Sequence, residues 1–259
     1  MKSTACLFIL SLFLPGCHRD ISQPGNETGD WNHYERTFDF SDSGQLRDLP
    51  SYGTDPSYIE NEQLKSPIAK GEHKGLGRKF HFKYHGGEPD EAEMEFSLWL
   101  AANFQENGVD NEAGKFSGFE GIYDSSAGWG GKRVTTQKSW SVRIAHGCEN
   151  SEGKIPIGLY VYHPGMPGKY GTTIVPGFSL NKEQRYTLKL YIRMNDIDKG
   201  NGVLRLSVDG DEIYSADSWT FRNAHSVHIK SVWLDTYIGG LTPSRSDTYT
   251  LMDDLVIRW

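Results

Sequence analysis

The segment Trp140-Ser141-Val142-Arg143-Ile144-Ala145 alternates large apolar residues with small or polar ones. The segment Ile157-Gly158-Leu159-Tyr160-Val161-Tyr162 repeats this period of two a short distance downstream. Successive side chains of a β-strand point to opposite faces of the sheet, so each segment is predicted to be a strand with one buried and one polar face. We therefore expect Trp140, Val142, Leu159 and Val161 in the core, and Ser141, Arg143, Tyr160 and Tyr162 together on one concave face.

The same alternation extends to much of the chain. Met94, Phe96, Leu98 and Leu100 alternate with more polar neighbours, and Asp209-Gly210 is typical of a two-residue hairpin turn. Residues 41–70 show no clear period and are predicted to be loops, with one short helix near residues 45–49. Together with 29 glycines and 12% aromatic residues, the pattern predicts an all-β, antiparallel jelly-roll sandwich with a concave substrate groove. Further strands are predicted at residues 78–84, 186–194, 203–208, 212–215, 228–237 and 248–258.

The first residues have the features of a secretory signal peptide, with Lys2 followed by a short apolar run. That run is too short to span a bilayer. Leu14-Pro15-Gly16-Cys17 resembles the bacterial lipobox, in which the cysteine receives the lipid. We therefore expect a signal peptide at residues 1–16, lipidation of Cys17, a polar linker at residues 17–30 and one domain at residues 31–259. The alternative is an ordinary signal peptide that leaves Cys17 unmodified.

These N-terminal features predict a bacterial lipoprotein of the cell envelope that contacts the membrane only through its lipid. We also expect it to be a monomer. The formal net charge of −7 argues against a nucleic-acid partner. Between Ala113 and Tyr170, however, basic residues outnumber acidic ones, which suits a site for an anionic ligand. The histidines are scattered and form no HExxH motif, so neither a metal nor another cofactor is expected.

Three motifs along the chain carry the chemistry. They are Ala113-Gly114-Lys115-Phe116-Ser117-Gly118, then Trp140-Ser141-Val142-Arg143, then Tyr160-Val161-Tyr162. In this order they resemble the Gly-Gly-Lys-Leu-Pro-Gly, Trp-Ser-x-Arg and Tyr-x-Tyr motifs of jelly-roll polysaccharide lyases of the alginate lyase and glucuronan lyase type, families 14 and 20. The first motif keeps Lys115, placed in a glycine-rich loop, but lacks the Leu-Pro pair. The resemblance extends from about residue 78 to residue 259.

The resemblance implies cleavage of an acidic polyuronate by β-elimination, which leaves a 4,5-unsaturated sugar end. That chemistry needs a cation on the uronate carboxylate, a base for the C5 proton and an acid for the leaving oxygen. Arg143 and Lys115 are the candidate cations. Tyr160 and Tyr162 are the candidate base and acid, provided that neighbouring cations lower their pKa, and Tyr162 is favoured because it lies closer to Lys169. Ser141 is expected to bind substrate or to orient its neighbours.

Other interpretations remain open at this stage. Arg143 is alternatively an ordinary surface charge, and alternating tyrosines also suit any half-buried strand. Trp129 and Tyr170 either stack on sugar rings or pack loops. A glycoside hydrolase requires two suitably spaced carboxylic acids, and no strand of this sequence supplies that pattern. A non-catalytic carbohydrate-binding lipoprotein of the same fold is the main alternative, and a turnover assay separates it from a lyase.

Overall fold

The computed structural model describes residues 34–106, 114–134 and 139–259. The predicted signal peptide, Cys17 and the linker lie outside the described residues. Within the described ranges no helix has the length and apolar character required to cross a membrane. The only helices in these ranges are two short 3₁₀ helices at Ser43–Arg47 and Phe82–Tyr84. The strands are β1 (Glu35–Phe38), β2 (Tyr58–Glu60), β3 (Gln63–Ile68), β4 (Lys74–His81), β5 (Glu91–Leu100), β6 (Gly114–Glu120), β7 (Ser141–His146), β8 (Lys154–Tyr162), β9 (Thr172–Asn181), β10 (Arg185–Arg193), β11 (Gly202–Val208), β12 (Asp211–Trp219), β13 (Ser231–Tyr237) and β14 (Thr248–Arg258).

These strands form two antiparallel sheets, which confirms the predicted jelly-roll sandwich. One sheet has the order β12-β11-β10-β5-β14-β3-β2, with β1 also paired to β14. The other sheet has six strands in the order β4-β13-β6-β7-β8-β9. Strand β13 is inserted between β4 and β6, so residues far apart in sequence become neighbours in the six-stranded sheet. This insertion shapes the candidate site.

The core lies between the two sheets and is built from the apolar half of each alternating strand. Trp140, Val142, Leu159 and Val161 are all fully buried there, as predicted. On β5 of the facing sheet, Met94, Phe96, Leu98 and Leu100 are buried as well. The opposite face of the six-stranded sheet, called the groove face below, carries the polar half of the same alternation.

The predicted Asp209-Gly210 hairpin is present between β11 and β12. Both residues have positive φ angles, 51° for Asp209 and 89° for Gly210, as a type I′ turn requires. The predicted strand at residues 248–258 matches β14 in both bounds. The 3₁₀ helix at Ser43–Arg47 lies beside the predicted short helix at residues 45–49.

Several strands depart from the prediction. Residues 41–70 are not only loops, because β2 and β3 lie there and extend the edge of the larger sheet. Strand β9 was not predicted. It contains Pro176, which cannot donate a ladder hydrogen bond and is tolerated because β9 is an edge strand. The glycine-rich segment around Lys115 is strand β6 and not a loop. The glycines are needed there because side chains would clash with β7.

Candidate active site

The predicted polar patch lies where β6, β7 and β8 run side by side on the groove face. Ser141 on β7 pairs with Tyr162 on β8, and Arg143 pairs with Tyr160 one step further along. On the other side of β7, Arg143 pairs with Gly118 of β6. The pairing confirms that β7 and β8 are adjacent, the condition on which the predicted patch depended.

Two glycines explain why the Lys115 segment is a strand. A Cβ atom at Gly118 would lie 2.0 Å from the Val142 carbonyl oxygen, and one at Gly114 would lie 2.0 Å from the His146 ring. Any side chain at these positions would push β6 away from β7. The glycines therefore permit close strand pairing, and Lys115, located between them, projects from a rigid sheet.

A cavity of about 600 Å³ opens on the groove face above this patch. Its described lining contains three cations, Lys74, Lys115 and Arg143, and one carboxylate, Asp235. The remaining wall is largely aromatic, which suits the apolar faces of sugar rings. The aromatic lining residues are Tyr52, Trp129, Tyr160, Tyr162, Tyr170, Trp233 and Tyr237.

Arg143 lies at the floor of the cavity and is only 5% exposed. Its Nη1 atom lies 3.3 Å from a carboxylate oxygen of Asp235, and its guanidinium lies over the Trp233 ring at 4.4 Å from the centroid. Its Nε atom is buried without a hydrogen-bond partner in the described part of the chain. This placement excludes the alternative of an ordinary surface charge on a solvated strand face.

Lys115 extends over two aromatic rings of the cavity. Its Nζ atom lies 4.9 Å from the ring centroid of Tyr160 and 5.3 Å from that of Tyr237. Burial, assisted by the positive charge of Arg143, lowers the pKa of Lys115 to about 8, while Asp235 acts in the opposite direction. A substantial fraction of neutral amine is therefore present in mildly alkaline solution.

Tyr160 and Tyr162 form one hydroxyl pair, with their oxygens 3.4 Å apart. The backbone N–H of Gly171 donates to the Tyr160 oxygen at 3.0 Å, and that of Gly131 donates to the Tyr162 oxygen at 2.8 Å. Tyr162 is 1% exposed, yet it packs with Val134 in a small cluster on the groove face and not in the core between the sheets. Both phenols line the cavity.

The expectation that nearby cations lower the pKa of the tyrosines is wrong for Tyr160. Burial raises its pKa, the contact with Tyr162 raises it further, and the opposing charge of Arg143 is a smaller influence. Loss of hydration penalises the phenolate more than the guanidinium stabilises it. Tyr160 is therefore a neutral hydrogen-bond donor throughout the physiological pH range.

Ser141 does not line the cavity. Its side chain is fully buried, and the hydroxyl donates to the Gly128 carbonyl oxygen at 2.6 Å. It thus holds the start of the loop that carries Trp129 and Gly131, both of which line the cavity. The geometry corrects the expectation of a direct substrate contact and fits the other predicted role, that of orienting neighbours.

The contribution of β13 to the site was not predicted from the sequence. Trp233, Asp235 and Tyr237 all line the cavity from this strand. Their spacing of two residues was visible in a segment already predicted to be a strand, and that spacing places them on one face. Lys74, the first residue of β4, and Tyr52, which precedes that strand, also line the cavity. No sequence pattern predicted either of them.

Of the other aromatic and histidine residues near the patch, some line the cavity and some do not. Trp129 and Tyr170 both line the cavity. His146 points into the core side of β7, where burial lowers its pKa to about 4, and His163 hydrogen-bonds Thr172 away from the cavity lining. Among the described residues, no group of three or more His, Cys, Asp or Glu side chains is arranged to hold a metal ion.

The groove of this jelly-roll sandwich combines aromatic walls with cations and a pair of phenols. This combination is typical of a protein that acts on acidic sugars. Comparison with family models supports this class, because the model described as polysaccharide lyase 14 matches residues 62–254. The chain belongs to polysaccharide lyase family 14 and is a carbon–oxygen lyase acting on polysaccharides. A comparison with curated protein sequences gave no match.

Solved structures share the fold. A variant of alginate lyase Aly36B in complex with alginate trisaccharide superposes with a TM-score of 0.70 at 19% identity, covering 86% of this chain and 97% of the other. The family 14 alginate lyase from Aplysia kurodai gives 0.61 at 16% identity, with 87% and 90% covered. An endo-β-1,4-glucuronan lyase from Trichoderma reesei gives 0.51 at 12% identity, with 86% and 89% covered.

Proposed function

We propose that this lyase cleaves a polyuronate of the alginate or glucuronan type by β-elimination in the groove above Arg143, Lys115, Tyr160 and Tyr162. The observation that carries the proposal is that these four side chains line one cavity. A polyuronate presents a carboxylate and an apolar ring face on every sugar unit. The cations and the aromatic wall of the cavity complement both features.

Arg143 neutralises the carboxylate of the sugar that loses its C5 proton. The guanidinium is held on one side by Asp235 and below by Trp233, and it retains further N–H donors for a ligand. A charge-assisted hydrogen bond strengthens as the carboxylate gains enolate character, so Arg143 stabilises the transition state more than the ground state.

Lys115 and Tyr160 perform the two proton transfers. The neutral amine of Lys115 removes the C5 proton, and the Tyr160 hydroxyl gives its proton to the leaving O4 oxygen. After product release, the Lys115 ammonium returns a proton to the Tyr160 phenolate, directly or through a water molecule. The Nζ atom lies over the Tyr160 ring at 4.9 Å from its centroid, and both side chains line the same cavity. Tyr162 supports Tyr160 through the hydroxyl contact.

The pH dependence of kcat/KM tests the role of Lys115, because this ratio reports groups of the free enzyme. If Lys115 is the base, kcat/KM rises with pH through a midpoint near 8. If Lys115 serves instead as the cation that neutralises the carboxylate, kcat/KM falls through the same midpoint. The sign of the slope decides between the two roles.

A substrate panel tests the function itself. Purified polymannuronate, polyguluronate and glucuronan are each incubated with the protein, and the ultraviolet absorption of 4,5-unsaturated ends is followed. We expect product from at least one polymer, and its loss in Arg143→Gln. The matched control is Arg185→Gln, which removes an exposed arginine from the opposite sheet and should retain activity. A wild-type protein that binds these polymers without forming product would instead be a carbohydrate-binding protein.

The N-terminal sequence supports a second part of the proposal, which concerns location. Residues 1–16 are removed on export, Cys17 is acylated, and residues 17–30 connect the lipid to the enzyme. The lyase then works as a monomer attached to the bacterial cell envelope, where polymer fragments arrive from outside the cell.

A further inference from the structure

Asp235 is a carboxylate in a cavity that, on the proposed function, receives a polyanion. It is 3% exposed and lies on β13 with its side chain on the groove face. Its backbone N–H donates to the Ser117 hydroxyl at 3.3 Å, which ties β13 to β6 at this point. A negative charge here repels a uronate carboxylate, so substrate binding alone does not explain its presence.

We propose that Asp235 is a positioning residue of the lyase site, which fixes the orientation of the Arg143 guanidinium and offsets its charge beside Lys115. The inference rests on the proposed function and adds to it a residue that does not itself contact the reacting atoms.

The contacts of Arg143 support the positioning role. The guanidinium contacts the Trp233 ring beneath it and the Asp235 oxygen 3.3 Å from Nη1, and both contacts restrict its orientation. The buried Nε atom has no acceptor among the described residues, so the pair is not built for the largest number of hydrogen bonds within the protein. Buried ion pairs are in general poor stabilisers compared with apolar packing, whereas they do specify geometry.

The surrounding charges support the electrostatic role. Burial raises the pKa of Asp235, and the positive charges of Arg143, Lys74 and Lys115 oppose this effect by favouring its ionised form. A Cβ atom at Gly77, the residue paired with Asp235, would lie 2.5 Å from the Lys74 Nζ atom, so this glycine leaves room for the ammonium. Asp235 is thus the cavity carboxylate whose charge all three described cations of the cavity favour.

Arg143 and Asp235 act in opposite directions on the protonation of Lys115. Arg143 on β7 disfavours its charged form, and Asp235 on β13 favours it. Other described groups near the ammonium include the rings of Tyr160 and Tyr237 and the buried neutral His146, and Lys74 on β4 lines the same cavity. Removing the Asp235 charge leaves the repulsion by Arg143 unopposed, so Lys115 should lose its proton at lower pH.

Asp235→Asn tests the inference because it removes the charge and nearly keeps the shape. We expect the midpoint of the kcat/KM profile to move to lower pH by about half a unit or more. We also expect the plateau of kcat to fall about tenfold, because the Arg143 guanidinium is no longer fixed. Asp235→Glu keeps the charge, so its midpoint should stay near that of the wild type even if kcat falls.

Asp253→Asn is the matched control. Asp253 lies 3.5 Å from Arg185 in an ion pair on the opposite sheet, so this substitution changes the net charge equally without touching the cavity. Its profile should coincide with that of the wild type. If Asp235→Asn is unstable, Asp235→Ser replaces it, with the same expected shift. An unchanged midpoint in a folded charge-removing variant would show that Asp235 only stabilises the fold, and would overturn the inference.

A second readout does not require activity. The Lys115 Cε signal in lysine-labelled protein is assigned with Lys115→Arg and titrated by NMR in the wild type and in Asp235→Asn. We expect a lower titration midpoint in the variant, and equal midpoints would again overturn the inference. Failure of the wild type to release unsaturated product would refute the proposed function and, with it, the positioning role in catalysis, while the NMR titration would still report the electrostatic coupling.

Discussion

Replacing Tyr160 by phenylalanine removes one hydroxyl group from the groove and changes little else. The Tyr160 oxygen accepts the Gly171 N–H at 3.0 Å, and the Tyr162 oxygen accepts the Gly131 N–H at 2.8 Å. Tyr160→Phe and Tyr162→Phe therefore each leave one backbone N–H without its acceptor and each break the same hydroxyl contact. Because the structural losses match, Tyr162→Phe is an internal control for the chemical role of Tyr160.

The expected magnitudes separate structure from chemistry. Loss of these contacts, which leaves one backbone N–H without its acceptor, should reduce the free energy of unfolding by about 1–3 kcal/mol in both variants. A missing general acid should lower the turnover of Tyr160→Phe by about 10²-fold or more. That factor corresponds to about 3 kcal/mol of transition-state stabilisation. Tyr162→Phe, which loses only the support of Tyr160, should stay within about tenfold of the wild type.

The assay is the initial rate of unsaturated product at a saturating concentration of the best polyuronate, with the free energy of unfolding measured by denaturant titration on the same preparations. A larger loss in Tyr162→Phe would transfer the acid role to Tyr162, which the sequence alone had favoured. Near-native turnover of both variants would eliminate the phenols as proton donors altogether.

Four further outcomes are expected. Gly118→Ala should reduce the free energy of unfolding by about 1–3 kcal/mol, because its Cβ would lie 2.0 Å from the Val142 oxygen, whereas Gly168→Ala, with open space around it, should be nearly neutral. Burial lowers the pKa of His146 to about 4 in the folded protein, so protonation favours the unfolded chain. The free energy of unfolding should therefore fall by about 3 kcal/mol as the pH drops from 6.5 to 4. Denaturant titrations of His146→Gln over the same pH range should lack this decrease. Lyase activity should survive chelators, since the carboxylate is neutralised by protein cations, and a complete loss that added metal restores would contradict this. Mass spectrometry of the mature protein should find lipid on Cys17, and an unmodified N-terminus at another residue would refute the assignment.

Strand prediction succeeded where the sequence alternates without interruption. Residues 94–100 show the period of two and lie in β5, a central strand whose alternate side chains face the core. It failed where a strand lies at an edge or is broken by proline. Strand β3 contains Pro67 and buries the polar Ser66, and β9 contains Pro176, so neither shows the clear pattern.

The candidate site also contains residues that the sequence predicted and residues that it did not. Arg143, Tyr160 and Tyr162 were predicted because a hairpin-like pair of strands brings them together over a short sequence distance. The contact between Arg143 and Asp235 spans 92 residues and exists because β13 is inserted between β4 and β6. No local pattern encodes that insertion. The β6 strand was missed for another reason, because glycine usually signals a loop, whereas Gly114 and Gly118 allow close packing of strands.

The protonation states of the site follow from the water-poor floor of the groove. Burial disfavours charge on any side chain, so it raises the pKa of Tyr160 and lowers that of Lys115, and both groups move toward their neutral forms. A neutral amine and a neutral phenol are the base and acid that β-elimination needs at the same moment. On the proposed mechanism, the Arg143 guanidinium receives the substrate carboxylate. On that mechanism, one physical cause, desolvation, prepares both the acid and the base in the same pH range. A polar substitution that admits water to the floor, such as Trp233→Ser, should raise the midpoint of the kcat/KM profile above 8, and a midpoint that stays in place would show that burial does not control Lys115.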